Sequence, residues 1–182
     1  MRHEYLINRT GRLANVGISN IHGFLNTKNN SEYADTQFFF IALPKRDNLS
    51  LDTFTNAISM NSDISKKLKM YNRDHNILVT EITLLQPKSR GKIYLRSKNP
   101  SDYQVVETGY LTDANGEELE AFFSAIPLAG AQLKTGAFQT LNAEISDFDI
   151  PNCRNLDFDT DEYWKCAVRN IGTTEYYPTS CV

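Results

Sequence analysis

An α+β fold, with helices packed on an antiparallel sheet, is what two features of this sequence predict. Stretches of strand length and stretches of helical period alternate irregularly along the 182 residues. The clearest strands, 77–85 and 92–98, are neighbours joined by the turn-rich Pro87-Lys88-Ser89-Arg90-Gly91, so pairing begins locally as a hairpin. The length suits one domain with its own core.

The elements follow in order. Residues 19–27 read as a strand, with Ile21 and His22 on opposite faces and Gly23 marking a bulge or close approach. Residues 36–43 contain Phe38-Phe39-Phe40-Ile41 and read as a buried strand stopped by Pro44. Residues 51–71 are helical in pattern, with Ser50 as N-cap and a polar interruption at Asn61-Ser62-Asp63 that can split them in two. In 92–98, Ile93, Leu95 and Ser97 face one way while Lys92, Tyr94, Arg96 and Lys98 face the other, the mark of a half-buried strand. Residues 116–134 carry Leu119, Phe122, Phe123, Ile126, Ala129 and Leu133 at helical spacing, with Pro127 expected to kink or end the helix. A last helix starts at the N-cap Thr160, with Asp161 and Glu162 in its electropositive first turn and Tyr163, Trp164, Ala167, Val168 and Ile171 on its buried face.

Several function classes find no support. The 19 basic and 22 acidic side chains give a net charge of -3 and are interspersed, whereas phosphate binding needs clustered cations, so nucleic acid is not an expected partner. Lys66, Lys67 and Lys69 read as a solvated helix face. No apolar run approaches the ~20 residues of a membrane-spanning helix, and the first ten residues lack the apolar core of a signal peptide. His3, His22 and His75 share no ligand spacing and Cys153, Cys166 and Cys181 form no Cys-x-x-Cys pair, so no metal site is expected. Cys153 and Cys166 are either one disulfide or two buried thiols. Asn8, Asn29 and Asn48 head N-x-Ser/Thr triplets, which are compatible with secretion. The nine glycines are scattered and none forms G-x-G-x-x-G after a strand, so no dinucleotide cradle is expected. Glu117/Glu118 and Asp157/Asp159 read as surface or capping charges.

Short motifs taken together carry a resemblance. Tyr5-Leu6-Ile7-Asn8-Arg9-Thr10-Gly11, then Leu13, resembles "YLLNRTGPL"; Gly23-Phe24-Leu25-Asn26-Thr27-Lys28 resembles "AFINTK", and Asp35-Thr36-Gln37-Phe38-Phe39-Phe40 "PDIQFHF". Leu85-Gln86-Pro87-Lys88-Ser89-Arg90-Gly91, with Ile93, Leu95, Ser97 and Pro100, is similar to "LLRPKSRGxIxLxSxxP". Further on, Gly109-Tyr110-Leu111-Thr112-Asp113 is similar to "PNYLSD", Asp161-Glu162-Tyr163-Trp164-Lys165-Cys166 to "DEYWEC", and Thr173-Thr174 with Tyr176-Tyr177-Pro178 to "TTxYHPxGTC". In this order they resemble the insect glucose-dehydrogenase-like members of the glucose–methanol–choline (GMC) oxidoreductase family, over nearly the whole chain.

The resemblance implies residues 1–182 as part of a substrate-binding domain, an antiparallel sheet backed by helices, with the FAD-binding Rossmann domain absent. It implies an FAD-dependent parent enzyme that oxidises the CH–OH group of a small alcohol or sugar, and no activity or flavin binding by this chain alone. It implies secretion. Phe38 and Phe40 are read from the sequence as candidates for the substrate pocket, with core packing the favoured reading. The family's base histidine falls at Tyr177, and a phenol with a reference pKa near ~10 is a poor base at neutral pH. The alternative is a non-catalytic, degenerate GMC-like binding protein.

Overall fold

The computed structural model describes residues 2–11, 14, 19–28, 32–174 and 176. Eleven elements follow one another among them: α1 (Arg2–Asn8), β1 (Ser19–Leu25), β2 (Thr36–Leu43), α2 (Asn48–Ala57), α3 (Ser62–Asn72), β3 (Ile77–Leu84), β4 (Lys92–Tyr94), β5 (Val105–Glu107), α4 (Glu117–Ala131), α5 (Gly136–Thr140) and α6 (Asp161–Ile171). They form an antiparallel sheet in the order β1-β2-β3, a separate two-stranded ribbon β4-β5, and helices around them. The α+β class stands.

β2 organises the sheet. It pairs with β3 without a break from Thr36↔Leu84 to Leu43↔Ile77, and with β1 from Leu25↔Thr36 to Ser19↔Ile41. Its aromatic and β-branched side chains suit a pleated, buried surface. Pro44, with no N–H to give, ends it. The irregularity in β1 lies between Ser19 and Ile21, not at Gly23, which sits in register opposite Phe38.

Asp35 closes the loop between β1 and β2. Its carboxylate accepts the Thr27 amide at 2.9 Å and the Thr27 hydroxyl at 2.7 Å. Its own amide bonds to the Leu25 carbonyl and its carbonyl accepts from Leu85, each at 2.9 Å. One residue thus ties the turn to both outer strands. Burial pushes the Asp35 carboxyl upward, but the bonds from Thr27 and its neighbours outweigh this and hold it below its ordinary value.

Period two sorts the β2 side chains onto two faces. Ile41 and Leu43 point into the main core, with Leu51 and Phe54 of α2, Ile64 and Leu68 of α3, Ile150, Cys153, and Tyr163 and Ala167 of α6. The turn after α3 is held by Asn72, which is 1% exposed; its Nδ2 donates to the carbonyls of Leu43 at 3.3 Å, Pro44 at 2.9 Å and His75 at 3.4 Å. α6 begins where its sequence says: the Thr160 hydroxyl accepts the Tyr163 amide at 3.2 Å. Tyr163 and Ala167 are buried, Trp164 and Val168 half-buried, and Ile171 is exposed.

Three local expectations are corrected. Residues 77–85 and 92–98 do not form a hairpin: β3 pairs with β2, and β4 is three residues long and pairs with β5. The Lys88 and Ser89 amides both donate to Glu118 at 2.7 Å, which draws the chain from β3 toward α4. Beyond Tyr94, Ser97 and Asn99 turn the chain instead, through bonds from the Ser97 hydroxyl to Asp102 and from the Asn99 amide to Ser97. α2 is capped by Asp47, which accepts the Ser50 amide at 3.2 Å; Ser50 lies inside the first turn. Asn61 does split the long helical stretch, as N-cap of α3. Finally, α4 runs through Pro127 to Ala131 before a 3₁₀ turn at Gln132–Lys134. Pro127 therefore does not end the helix, and α4 packs against β3 and α6 despite the hydrogen bond that proline removes.

Two outcomes are expected. Leu43→Ala should cost about 2–5 kcal/mol in urea unfolding, because the fully buried site cannot collapse around the lost volume. The depressed Asp35 carboxyl contributes stability that is present above its unfolded value and lost as pH falls through and below the ordinary range near ~4. Asp35→Asn should therefore lower the thermal midpoint at pH 7 and flatten its fall toward pH 3.

Candidate functional site

The face of the sheet opposite the main core carries both aromatic residues singled out for the pocket. Phe38 and Phe40 lie on one face of β2, with ring centroids 6.3 Å apart and edge to face. Register adds Ile21 and Gly23 from β1 and Thr80 and Ile82 from β3 to the same face. Exposure is graded along it. Phe38 is 5% exposed and behaves as core. Phe40 is half-buried, Leu78 is 41% exposed beside Ala42, and Ile21 is 66% exposed opposite Phe40. The result is a shallow apolar strip, Ile21–Phe40–Ala42–Leu78, open to solvent. The Gln132 amide donates to the Thr80 hydroxyl at 3.3 Å, which brings the end of α4 to this face.

The other face near β1 is polar at the same level. The His22 ring packs against Phe39 at a tilt of 57° with centroids 4.4 Å apart, and its Nδ1 lies 3.2 Å from the Gln37 side-chain nitrogen. With that nitrogen as donor, the neutral ring carries its proton on Nε2. His22 thus lies across the sheet from Phe40.

A second constellation joins the small ribbon to the helices. Glu118, 5% exposed, accepts the amides of Lys88 and Ser89 at 2.7 Å and the Ser89 hydroxyl at 2.6 Å. The Ser89 oxygen accepts the Thr112 amide at 2.8 Å. Lys88 reaches Glu117 through its ammonium group. Gly91 and Gly109 cross here: a β-carbon on Gly91 would strike the carbonyl oxygen of Glu107, and one on Gly109, at φ +65°, that of Arg90. The sequence reads Glu118 as a surface or capping charge, and the structure buries it. An acid in a helix first turn looks the same whether it points outward or captures a loop from elsewhere, so no signal in the sequence marked it.

Cys153 and Cys166 are bonded, S–S 2.00 Å, joining the 3₁₀ turn Pro151–Cys153 to α6 and deciding between the two alternatives left open by the sequence. Two open clefts flank this bridge. One, of about 500 Å³, lies between α4 and α6 and includes Asn115, Glu120, Phe123, Lys165 and Arg169. The other, of about 350 Å³, includes Asp147, Asp149, Arg154, Phe158 and Tyr163. Burial, then the Asp147 carboxylate that accepts its hydroxyl at 3.0 Å, pushes the Tyr163 phenol far up, so it is a donor and not a base. Phe38 and Phe40 line neither cleft. Tyr177, with Cys181, Asn29 and Leu13, lies outside the described residues.

The model of the GMC oxidoreductase family, in its C-terminal part, matches residues 87–182. This chain belongs to the GMC oxidoreductase family. Ecdysone oxidase of Spodoptera littoralis is 26% identical over 174 residues, covering 96% of this chain and 28% of that protein. Ecdysone oxidase of Bombyx mori is 28% identical over 177 residues, covering 96% and 25%. Glucose dehydrogenase (FAD, quinone) of Drosophila pseudoobscura pseudoobscura is 26% identical over 181 residues, covering 98% and 26%. The GMC chain therefore spans about a quarter of the length of the curated relatives it matches. No solved structure matches it.

A flavin dinucleotide needs backbone amides presented to its diphosphate, usually by glycines between a strand and a helix N-terminus. In this GMC chain Gly91 and Gly109 are committed to a backbone crossing, and the first turn of α4 behind Gly116 carries Glu117, Glu118 and Glu120, which repel phosphate. The described residues do not fit such a group.

Glu118→Ala should cost about 2–4 kcal/mol, since it leaves two amides and a buried hydroxyl without their acceptor. Hydrogen exchange at the Lys88 and Ser89 amides should accelerate with it. Unchanged exchange at both would show that the loop is held by something else.

Proposed function

We propose that this chain is the substrate-side part of an FAD-dependent oxidoreductase acting on the CH–OH group of an alcohol, with the flavin held by sequence outside these 182 residues. Family membership supports the reaction class. The observation that carries the reading further is the open apolar strip on the sheet. A wall of Ile21, Phe40, Ala42 and Leu78, with one hydroxyl–amide pair at its edge, suits a substrate with a bulky apolar body better than a sugar, whose many hydroxyls would be left unpaired against it. In this reading Phe40 packs on the substrate, Phe38 supports Phe40 from the core, and the Thr80–Gln132 pair offers the polar contact. The bonded Cys153 and Cys166, with the N-x-Ser/Thr triplets, support a secreted protein.

The test uses the complete flavoprotein. Phe40→Ala should lower kcat/KM for a bulky apolar alcohol by roughly tenfold, the effect of losing about 1.4 kcal/mol of contact, and leave glucose turnover unchanged. Equal losses for both substrates would sink the assignment of the strip.

A second reading rests on Tyr177, which stands where the family motif has its base histidine. A parent lacking that base would be a binding protein with a vestigial reaction centre. Tyr177→His in the complete protein should then raise alcohol turnover by about 10²-fold or more, the usual contribution of a positioned base. Wild-type turnover that the change does not improve would remove this reading.

A further inference from the structure

We propose that Asn48 carries an N-linked glycan, and that the end of the sheet bearing it faces solvent in the parent protein. The inference deepens the secreted reading above and rests on it.

Asn48 opens α2 and heads the triplet Asn48-Leu49-Ser50. Its side chain is exposed and has no hydrogen-bond partner among the described residues. Leu49 beside it is exposed as well. Ser50 is the opposite: it is buried, and its hydroxyl donates to Asp47 at 2.8 Å. Transfer of a glycan requires the triplet in an open conformation with that hydroxyl available. The folded turn withdraws the hydroxyl but leaves the amide pointing outward. Transfer must therefore precede closure of α2, and the folded chain can still hold the product. A compartment that joins Cys153 to Cys166 is one in which nascent chains meet the glycosylating machinery. The Asn48 Nδ2 forms a bond to the anomeric carbon of a lipid-linked oligosaccharide diphosphate, the bond from that carbon to the diphosphate breaks, and the proton from Nδ2 leaves with a base.

Place gives the site its consequence. Asn48 follows the carboxyl end of β2 by five residues, at a corner held by bonds from the Lys45 amide to Asn76 at 2.9 Å and from the Arg46 amide to the Asn72 carbonyl at 2.8 Å. Thr36, Leu84 and the Ser89–Glu118 knot lie at the other end of the eight-residue strand, roughly 25 Å away. A branched, hydrated sugar at the Asn48 corner would keep any further domain off it. The remainder of the parent must then approach from the strip face or from the knot end.

The native protein, captured with an antibody to residues 77–98, supplies the test. Tryptic peptide 47–66 contains no other acceptor triplet. After amidase release of glycans in ¹⁸O water, Asn48 should appear as ¹⁸O-labelled aspartate, and the gel shift caused by that enzyme should shrink in Asn48→Gln. Unmodified Asn48 in a protein whose Cys153 and Cys166 are bonded would overturn the glycan and spare the compartment. Unmodified Asn48 with both thiols free would overturn the two together. Asn48→Gln leaves Asp47 and Ser50 in place, so loss of the shift cannot be laid to a broken helix cap.

Discussion

A strand paired on both edges has to satisfy two faces at once, and in this domain that demand falls on β2. Its backbone is committed along its length to β1 and β3, which leaves only side chains to choose their surroundings. Ile41 and Leu43 gather α2, α3 and α6 on one side. Phe38 is buried on the other, while Phe40 remains half open. The asymmetry between those two phenylalanines, two residues apart on one face, is what leaves an apolar strip open there. A slip of one residue would send both into the helical core and turn Ile41 and Leu43 outward.

Much of this was legible because the signals were local. The aromatic run before Pro44 marked β2 to its ends. Thr160 with two acids behind it marked the start of α6, and Asn61 marked the break between α2 and α3. At both helix starts the side chain that defines the element also makes the defining bond. The misread places depend on partners distant in sequence. Pro87 to Gly91 has the composition of a hairpin turn, yet its amides are claimed by Glu118 about thirty residues on. Pro127 weakens a helix by itself, but α4 packs against β3 and α6 and continues past it. Asp47 and Ser50 are both good caps, and only the path out of β2 selects the first. The strip on the sheet was half legible: Phe40 was named, whereas Ile21, Leu78 and the Thr80–Gln132 pair join it through register alone.

Glu118 shows how a buried carboxylate can be accommodated without a cation. Two amides and a hydroxyl converge on it, so its charge is met by oriented dipoles, while Lys88 is drawn to the neighbouring Glu117. The small β4-β5 ribbon, whose side chains are largely exposed, has little core of its own and is attached through this knot. Polar convergence does there what apolar packing does around Leu43.

The bond between Cys153 and Cys166 closes a covalent ring that contains Phe158, the Thr160 cap and the first turns of α6. A peptide bond cut anywhere between Arg154 and Lys165 would open that ring without dividing the molecule. The domain could therefore be nicked by a protease and still migrate as one piece until a reductant is added, its α6 held against the core by sulfur after the chain itself had been severed.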